Sequence, residues 1–226
     1  MRLIVIHSGP EHEVLLLTSL LIGLKKKYGT SAKILWVGDP AFFCLVKYNK
    51  RVKKCFNINQ VMDLPTITNF YGSDACINIS LDNKSGRFAS MCGAKQYFGF
   101  DKDGPIDRNA EFAQKVIKGE IKTNKTALDL YYSLIGSKWK GEGYGLSYYP
   151  RNKQSKECGT YLIDETIPDC DLISLPDEFL PKFDTLNQFA QIVTDDIFVL
   201  HAGLALRKKV TFRGDLPYKP NFTSKS

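Results

Sequence analysis

The side chains able to do chemistry in this 226-residue chain gather in three short stretches. The first is His7-Ser8-Gly9-Pro10-Glu11-His12-Glu13, where histidines and carboxylates alternate with small residues. A histidine beside a carboxylate can share a proton with it or hold a phosphate. The same carboxylate, at the start of a helix, is also favoured there by the dipole alone. Ser8 and Gly9 can offer a hydroxyl and an amide to a ligand, or can serve the helix start. In the second stretch, Lys84, Ser85 and Arg87 follow an apolar strand pattern, on the side where open α/β sheets bind ligands. A solvated loop has the same composition. The third is His201-Ala202-Gly203, predicted to open a helix directly after a strand, where backbone amides suit a phosphate. A half-buried, satisfied histidine is the other reading of His201.

The elements that must position these residues alternate regularly. Residues 3–6 are β-branched and apolar, a fully buried strand. Ser8 with Glu11 three residues on spells a capping box, Pro10 suits a first helical turn, and Lys25, Lys26 and Lys27 precede Gly29 at the expected helix end. Further strands are expected at 32–37, 53–58 (an edge), 74–80 and 96–100, with helical segments at 41–48 and 60–64, a polar loop at 81–87 and helix up to Met91. Amphipathic helices follow at 108–118 and 126–135. Composition then shifts to glycine, tyrosine, lysine and serine over 136–156, as in a linker. Beyond it the patterns predict strands at 161–164 and 172–175, a helix at 186–193, a strand at 196–200, a helix at 201–206 and a strand at 210–212. The tail 214–226 is expected to drape or fray. Strand and helix in alternation imply mostly parallel sheets with right-handed crossovers. The expected fold is therefore α/β: a Rossmann-like domain over 1–150 and a reduced second α/β lobe over 151–226.

Composition narrows the classes. A hydrophobic content of 43% supports an ordinary core and argues against disorder. No stretch has the roughly 18 uninterrupted apolar residues of a membrane span, so a cytoplasmic protein is expected. The six cysteines are scattered with no C-x-x-C pair, which predicts reduced thiols. With only three histidines in the chain, no metal site is expected. A net charge of +7 favours anionic partners. The runs Lys25 to Lys27, Lys50 to Lys54 and Arg207 to Lys209 are short enough to be solvated element ends, so nucleic acid is the weakest of the partner readings.

Several segments carry a family resemblance. LIVIHSGPEHEVLLLTSLLIGLKKKYGTSAKILWVG, DACINISLDNKSGRFASMCGAKQYFGF, TALDLYYSLIG and DDIFVLHAGLALRKKVTF resemble the corresponding parts of bacterial ADP-heptose:lipopolysaccharide heptosyltransferases, GT-B glycosyltransferases of family nine. The resemblance implies a truncated GT-B fold. It also implies inverting, metal-independent and cofactor-free transfer of a sugar, heptose or another hexose-like unit, from a nucleotide-diphosphate donor such as an ADP-sugar. The acceptor would be an anionic glycan such as the lipopolysaccharide core, at the inner face of the membrane, with peripheral contact to it. On this resemblance Glu13 is the catalytic base, Ser8, Gly9, His12, Lys84 and Arg87 contact the acceptor, and His201, Ala202 and Gly203 lie at the donor. Two departures stand against it. The family's glycine and aspartate are His12-Glu13 here, which keeps a carboxylate one methylene longer. In the second lobe, either Phe198 replaces an expected glycine after Asp196, or 196–200 is the strand and the glycine loop is deleted; Ile-Phe-Val-Leu favours the deletion. A shortened lobe without that phosphate cradle leaves a second class open, a non-catalytic binding or assembly protein derived from such an enzyme.

Overall fold

The computed structural model describes residues 1–163 and 167–219, which form two compact units. The first comprises Met1–Ser147 with the short return segment 217–219, and the second is built on 148–216.

The first unit runs β1 (Arg2–His7), α1 (Glu11–Tyr28), β2 (Lys33–Gly38), α2 (Phe43–Val46), β3 (Val52–Asn57), α3 (Leu64–Ile67), β4 (Ala75–Asn78), α4 (Asn83–Met91), β5 (Tyr97–Asp101), β6 (Gly104–Pro105), α5 (Arg108–Ile117) and α6 (Ala127–Leu134). Its sheet has the order β3-β2-β1-β4-β5-β6, parallel except for the β5–β6 pair. Leu3, Ile4, Val5 and Ile6 are fully buried because β1 has a strand on either side and helices over both faces. The chain steps outward from β1 to β3, then returns to place β4 on the other side of β1. That reversal puts the topological switch point between β1 and β4. Helix α1 is buried along most of its length, and Gly23 is small because a Cβ there would stand 2.5 Å from the Tyr132 ring of α6.

Four expectations for this unit are corrected. Ser8 and Glu11 form no capping box: Pro10 is the N-cap of α1, with no side-chain cap, because the Ser8 hydroxyl is bonded elsewhere. Residues 83–87 belong to α4, not to a loop, since Asp82 caps that helix by accepting the Ser85 amide at 3.0 Å. The helical turn expected at 60–64 forms later, at Leu64–Ile67. The linker expected from 136 is docked on α1 as far as Ser147. There Ser19 donates to the Glu142 carbonyl at 3.0 Å, Gly145 donates to the Thr18 hydroxyl at 3.1 Å, and the nearly buried Glu142 carboxylate meets Lys26 at 2.9 Å. The backbone of this segment is thus bonded to hydroxyls of α1 rather than left to solvent.

The second unit contains β7 (Lys156–Tyr161), β8 (Asp171–Leu172), α7 (Phe179–Asn187), β9 (Phe189–Thr194), α8 (Ile197–Ala205) and β10 (Lys209–Phe212), with a parallel sheet in the order β10-β9-β7-β8. Phe179, Phe183 and Phe198 pack edge to face or tilted between its two helices, their centroids 5.6–5.9 Å apart. Here the sequence patterns misplace most boundaries. Residues 156–161 form the first strand, and of the strand expected at 161–164 only Tyr161 is in it, Asp164 lying outside the described residues. Of the helix expected at 186–193, residues 186–187 are the end of α7 and 189–193 are strand β9, and the strand expected at 196–200 is the first half of α8. Apolar runs buried on all sides lose the periodicity that separates the two. Cys158 and Cys170 are joined in a disulfide, contrary to the expectation of reduced thiols. Pairing of β7 with β8 brings their Cα atoms to 4.6 Å, while Cys44, Cys55, Cys76 and Cys92 are free.

Candidate functional site

The C-terminal ends of β1 and β4, at the switch point of the first sheet, hold a connected group of polar side chains. His7 ends β1 as an almost fully buried residue, 1% exposed, with the edge of Trp36 against it. Its Nε2 has no hydrogen-bond partner among the described residues and stands 3.7 Å from the Glu13 carboxylate. The chain between them is constrained by close approach: a Cβ on Gly9 would lie 2.4 Å from Glu13 Oε2 and 2.7 Å from His7 Cε1. Only glycine leaves room for the pair at that turn.

Both members of the pair titrate abnormally. Burial pushes the Glu13 carboxyl up to about 7, against the opposing pull of a hydrogen bond from the buried Tyr131 hydroxyl. Burial pushes His7 down to about 4; a backbone hydrogen bond at Pro10 opposes this, His12 adds to it and Asp82 opposes it. Near neutral pH the histidine is therefore neutral and the carboxyl sits close to its midpoint, the condition in which a carboxylate accepts a proton most readily.

A second layer comes from the β4 side. The Ser8 amide donates to Ser80 Oγ at 2.7 Å, and Ser80 itself lies 3.5 Å from His7 Nδ1. The Ser8 hydroxyl donates to the Asp82 carboxylate and shares a 2.8 Å contact with Ser85 Oγ. For Asp82, burial alone would raise the carboxyl, but the Ser8 hydroxyl and the Ser85 amide outweigh it and hold it below the ordinary range. Of the acceptor-side residues expected from the sequence, Ser8, Gly9 and His12 lie in this turn beside Glu13. Lys84 and Arg87 are exposed on α4, with Lys84 Nζ on the Asn59 side chain.

His201, Ala202 and Gly203 are elsewhere in character. They lie inside α8, not at its start, and all three are buried in the second unit. A Cβ on Gly203 would meet Val210 Cγ2 at 2.7 Å, so this glycine is small for helix-on-sheet packing. The free amides of α8 belong instead to its first turn, where Asp196 already accepts the Val199 amide at 2.8 Å and Asp195 stands next to it.

Sequence reasoning missed Tyr131, which lies unremarked inside the amphipathic helix expected at 126–135. It also missed Asp82, although Asp-x-x-Ser ahead of an apolar stripe is a helix-start signal. Nothing local marks this tyrosine, because it reaches Glu13 only through the packing of α6. Among the described residues no group of three or more His, Cys, Asp or Glu side chains could hold a metal ion, and no helix is long and apolar enough to cross a membrane.

Comparison with known proteins turns on the fold. No family model matches the chain, and no curated protein matches it by sequence. Solved structures do match. The chain is similar to a glycosyl transferase family 9 protein from Veillonella parvula, with a TM-score of 0.68 at 13% identity, over 97% of this chain and 85% of that one. It is similar to the E. coli heptosyltransferase WaaC in complex with ADP, with a TM-score of 0.58 at 11% identity, over 93% and 86%. For E. coli ADP-heptose lps heptosyltransferase II the TM-score is 0.63 at 11% identity, over 93% and 83%. The fold is that of GT-B-like glycosyltransferases. At these identities the likeness establishes the architecture and leaves the chemistry to the site.

Proposed function

We propose that the protein is a glycosyltransferase that moves a sugar from a nucleotide-diphosphate donor to a glycan acceptor, with Glu13 as the general base. The observation that carries this reading is the half-buried Glu13 carboxyl, held near neutrality beside a neutral His7 and the Tyr131 hydroxyl, at the switch point of a sheet in a glycosyltransferase fold. The acceptor hydroxyl oxygen forms a bond to the anomeric carbon while the bond from that carbon to the diphosphate oxygen breaks. The electron pair leaves with the diphosphate, and the hydroxyl proton passes to Glu13. Ser8, Gly9 and His12 line the approach to Glu13, and Lys84 and Arg87 supply positive charge for an anionic acceptor. An ADP-sugar, heptose among the candidates, is the donor to test first because E. coli relatives in fold are described with ADP or as acting with ADP-heptose. An acceptor of the lipopolysaccharide-core kind, met at the inner face of the membrane, belongs to the same proposal, as does the division into an acceptor-side unit and a donor-side unit.

The test is a panel of sugar nucleotides against anionic glycan acceptors with product detected by mass spectrometry. With a productive pair in hand, Glu13→Gln should lower kcat by about 10²- to 10⁴-fold, the usual worth of a positioned base. Transfer by Glu13→Gln at the parent rate would remove Glu13 from the mechanism.

One observation favours a second reading. The chain entering α8 presents an acid pair, Asp195 and the N-cap Asp196, where a donor diphosphate would have to approach, and His201 is inside the helix. On that ground the chain is a binding or assembly protein that retains the glycan face and has lost the donor site. Calorimetry separates the two: micromolar ADP or ADP-sugar binding favours the enzyme, whereas glycan binding indifferent to nucleotide favours the binder.

A further inference from the structure

Helix α6 has two unlike sides. Tyr131 and Tyr132 are buried, and Tyr132 donates its hydroxyl to the Ser19 carbonyl of α1 at 2.9 Å. Asp129 and Ser133 alone in the helix are not buried. Four residues apart, they form one stripe, about 160° around the helix from Tyr131. Gly136 and Ser137 continue the same surface beyond the helix end. A stripe of short side chains leaves a trough, and longer ones wall it: Lys125 from ahead of the first turn, Lys138 and Trp139 from after the last, and Asn109 from α5. The enclosed cavity is about 700 Å³, within the range of small-ligand sites. A second cavity of about 400 Å³ shares Ser137 and Lys138 with it and adds Lys26, Lys27 and Lys140.

The lining suits a sugar. A pyranose has an apolar face of C–H bonds and a rim of hydroxyls, so it calls for an aromatic plane and for groups that both donate and accept. Trp139 supplies the plane, held by its indole N–H donating to the Glu142 carbonyl at 2.9 Å. Asn109, Thr123, Asn124 and Ser137 supply the groups. Charge then chooses among sugars. The two carboxylates at the joined cavities are already engaged, Asp129 in the capping box with Thr126 and Glu142 with Lys26 at 2.9 Å. Against them stand Lys26, Lys27, Lys125, Lys138 and Lys140, so the local field is positive. The charges are also spread out. The 8 residues of α6, about 12 Å of helix, separate the segment carrying Lys125 from the one carrying Lys138. A lone phosphate or diphosphate is too short to meet both, whereas a chain with a charge on successive units reaches from one to the other.

We propose that the trough along α6, with Trp139 as stacking platform and Lys125, Lys138 and Lys140 as its charges, binds an anionic oligosaccharide. This site goes beyond the transfer reaction and does not depend on Glu13 being a base. Tyr131 turns toward Glu13, and the trough runs along the opposite side of the same helix. It gives the chain a hold on a glycan whether the protein is an enzyme or a binder.

The probe is trigalacturonate, which carries one carboxylate per unit, with maltotriose as its neutral counterpart. Each is titrated into the full chain by calorimetry and by tryptophan emission. The parent should bind trigalacturonate with a Kd of about 1 mM or tighter, and maltotriose about tenfold more weakly. Of the two tryptophans, Trp36 is 2% exposed and Trp139 lies on the trough, so the emission change should come from Trp139. Trp139→Phe should lose that change yet keep calorimetric binding within about threefold, because an aromatic plane remains. Lys138→Glu, at an exposed position, should weaken binding about tenfold or more with the melting temperature unmoved. Glu13→Gln should bind the probe as the parent does, which separates this site from the fate of the proposed base. No binding of trigalacturonate, equal binding of maltotriose, or parent-like binding by Lys138→Glu would each overturn the proposal. An emission change that persists in Trp139→Phe would also overturn it, by placing the sugar near Trp36 and the Glu13 mouth. So would ADP that displaces the sugar from the parent and fails to bind Lys138→Glu, which would make the trough a nucleotide site.

Discussion

The two units present their switch points in opposite ways. In the first, the ends of β1 and β4 converge on a buried histidine and a half-buried carboxyl, a glycine that only just admits them, and a shell of serines and Asp82. In the second, the chain goes from β7 to β8 and then to β9 on the other side of β7, so the switch lies between β7 and β9. The end of β9 there leads through Asp195 into α8, whose first amides are capped by Asp196. The first mouth spends stability on an abnormal pair of titrating groups, whereas the second spends its polar residues on closing a helix. Similar topology therefore does not make similar sites: a switch point supplies the place, and the side chains at the strand ends decide whether anything is prepared there.

The largest effect that could break this contrast is in the pH dependence of stability. Folded Glu13 keeps its proton up to about 7 while the unfolded group releases it at 4.5, so the fold loses stability as pH rises through that window, about 3 kcal/mol in full. His7 works the other way. Its folded value of about 4 lies below the ordinary 6.5, so stability is lost as pH falls through that window. In the parent the two nearly cancel between 4.5 and 6.5, and the loss appears only above. Glu13→Gln should uncover the histidine: stability measured by urea unfolding should climb from pH 4 to 6.5 and then stay level. Parallel curves for parent and variant would mean that Glu13 is an ordinary exposed carboxylate, and the contrast between the mouths would go.

A smaller effect tests what the buried residues of α8 are for. Gly203→Val forces a side chain into Val210, a crowding worth about 1–3 kcal/mol of stability. The Glu13 titration should not notice. A variant that kept parent stability but lost nucleotide binding would return Gly203 to a donor site.

The smallest effect concerns the acid pair. Asp196→Ala removes a cap and should cost about 1 kcal/mol. Asp195→Asn removes one charge from the helix entrance and should tighten any ADP binding by about two- to five-fold, the equivalent of 0.3–1 kcal/mol. Weaker ADP binding in Asp195→Asn would show that the carboxylate helps to hold the donor, and would sharpen the enzyme reading at the expense of the binder.

Local patterning carried the first unit a long way. The run Leu3 to Ile6 could only be a buried parallel strand, the lysines before Gly29 marked a helix end, and the small and charged residues from His7 to Glu13 marked the turn where chemistry would begin. Those features depend on near neighbours, so the sequence contains them. The run Ile197 to Leu200 did not declare itself in the same way, because an apolar segment buried on every side shows neither period, and only the Asp196 cap and the fit of Gly203 against Val210 make it a helix. The state of Glu13 was beyond any local reading. Its raised carboxyl comes from burial, and the Tyr131 hydroxyl that bonds to it arrives with α6, more than a hundred residues away. A carboxylate in a first helical turn is cheap to specify in sequence; keeping water away from it requires walls, and walls are made by tertiary packing.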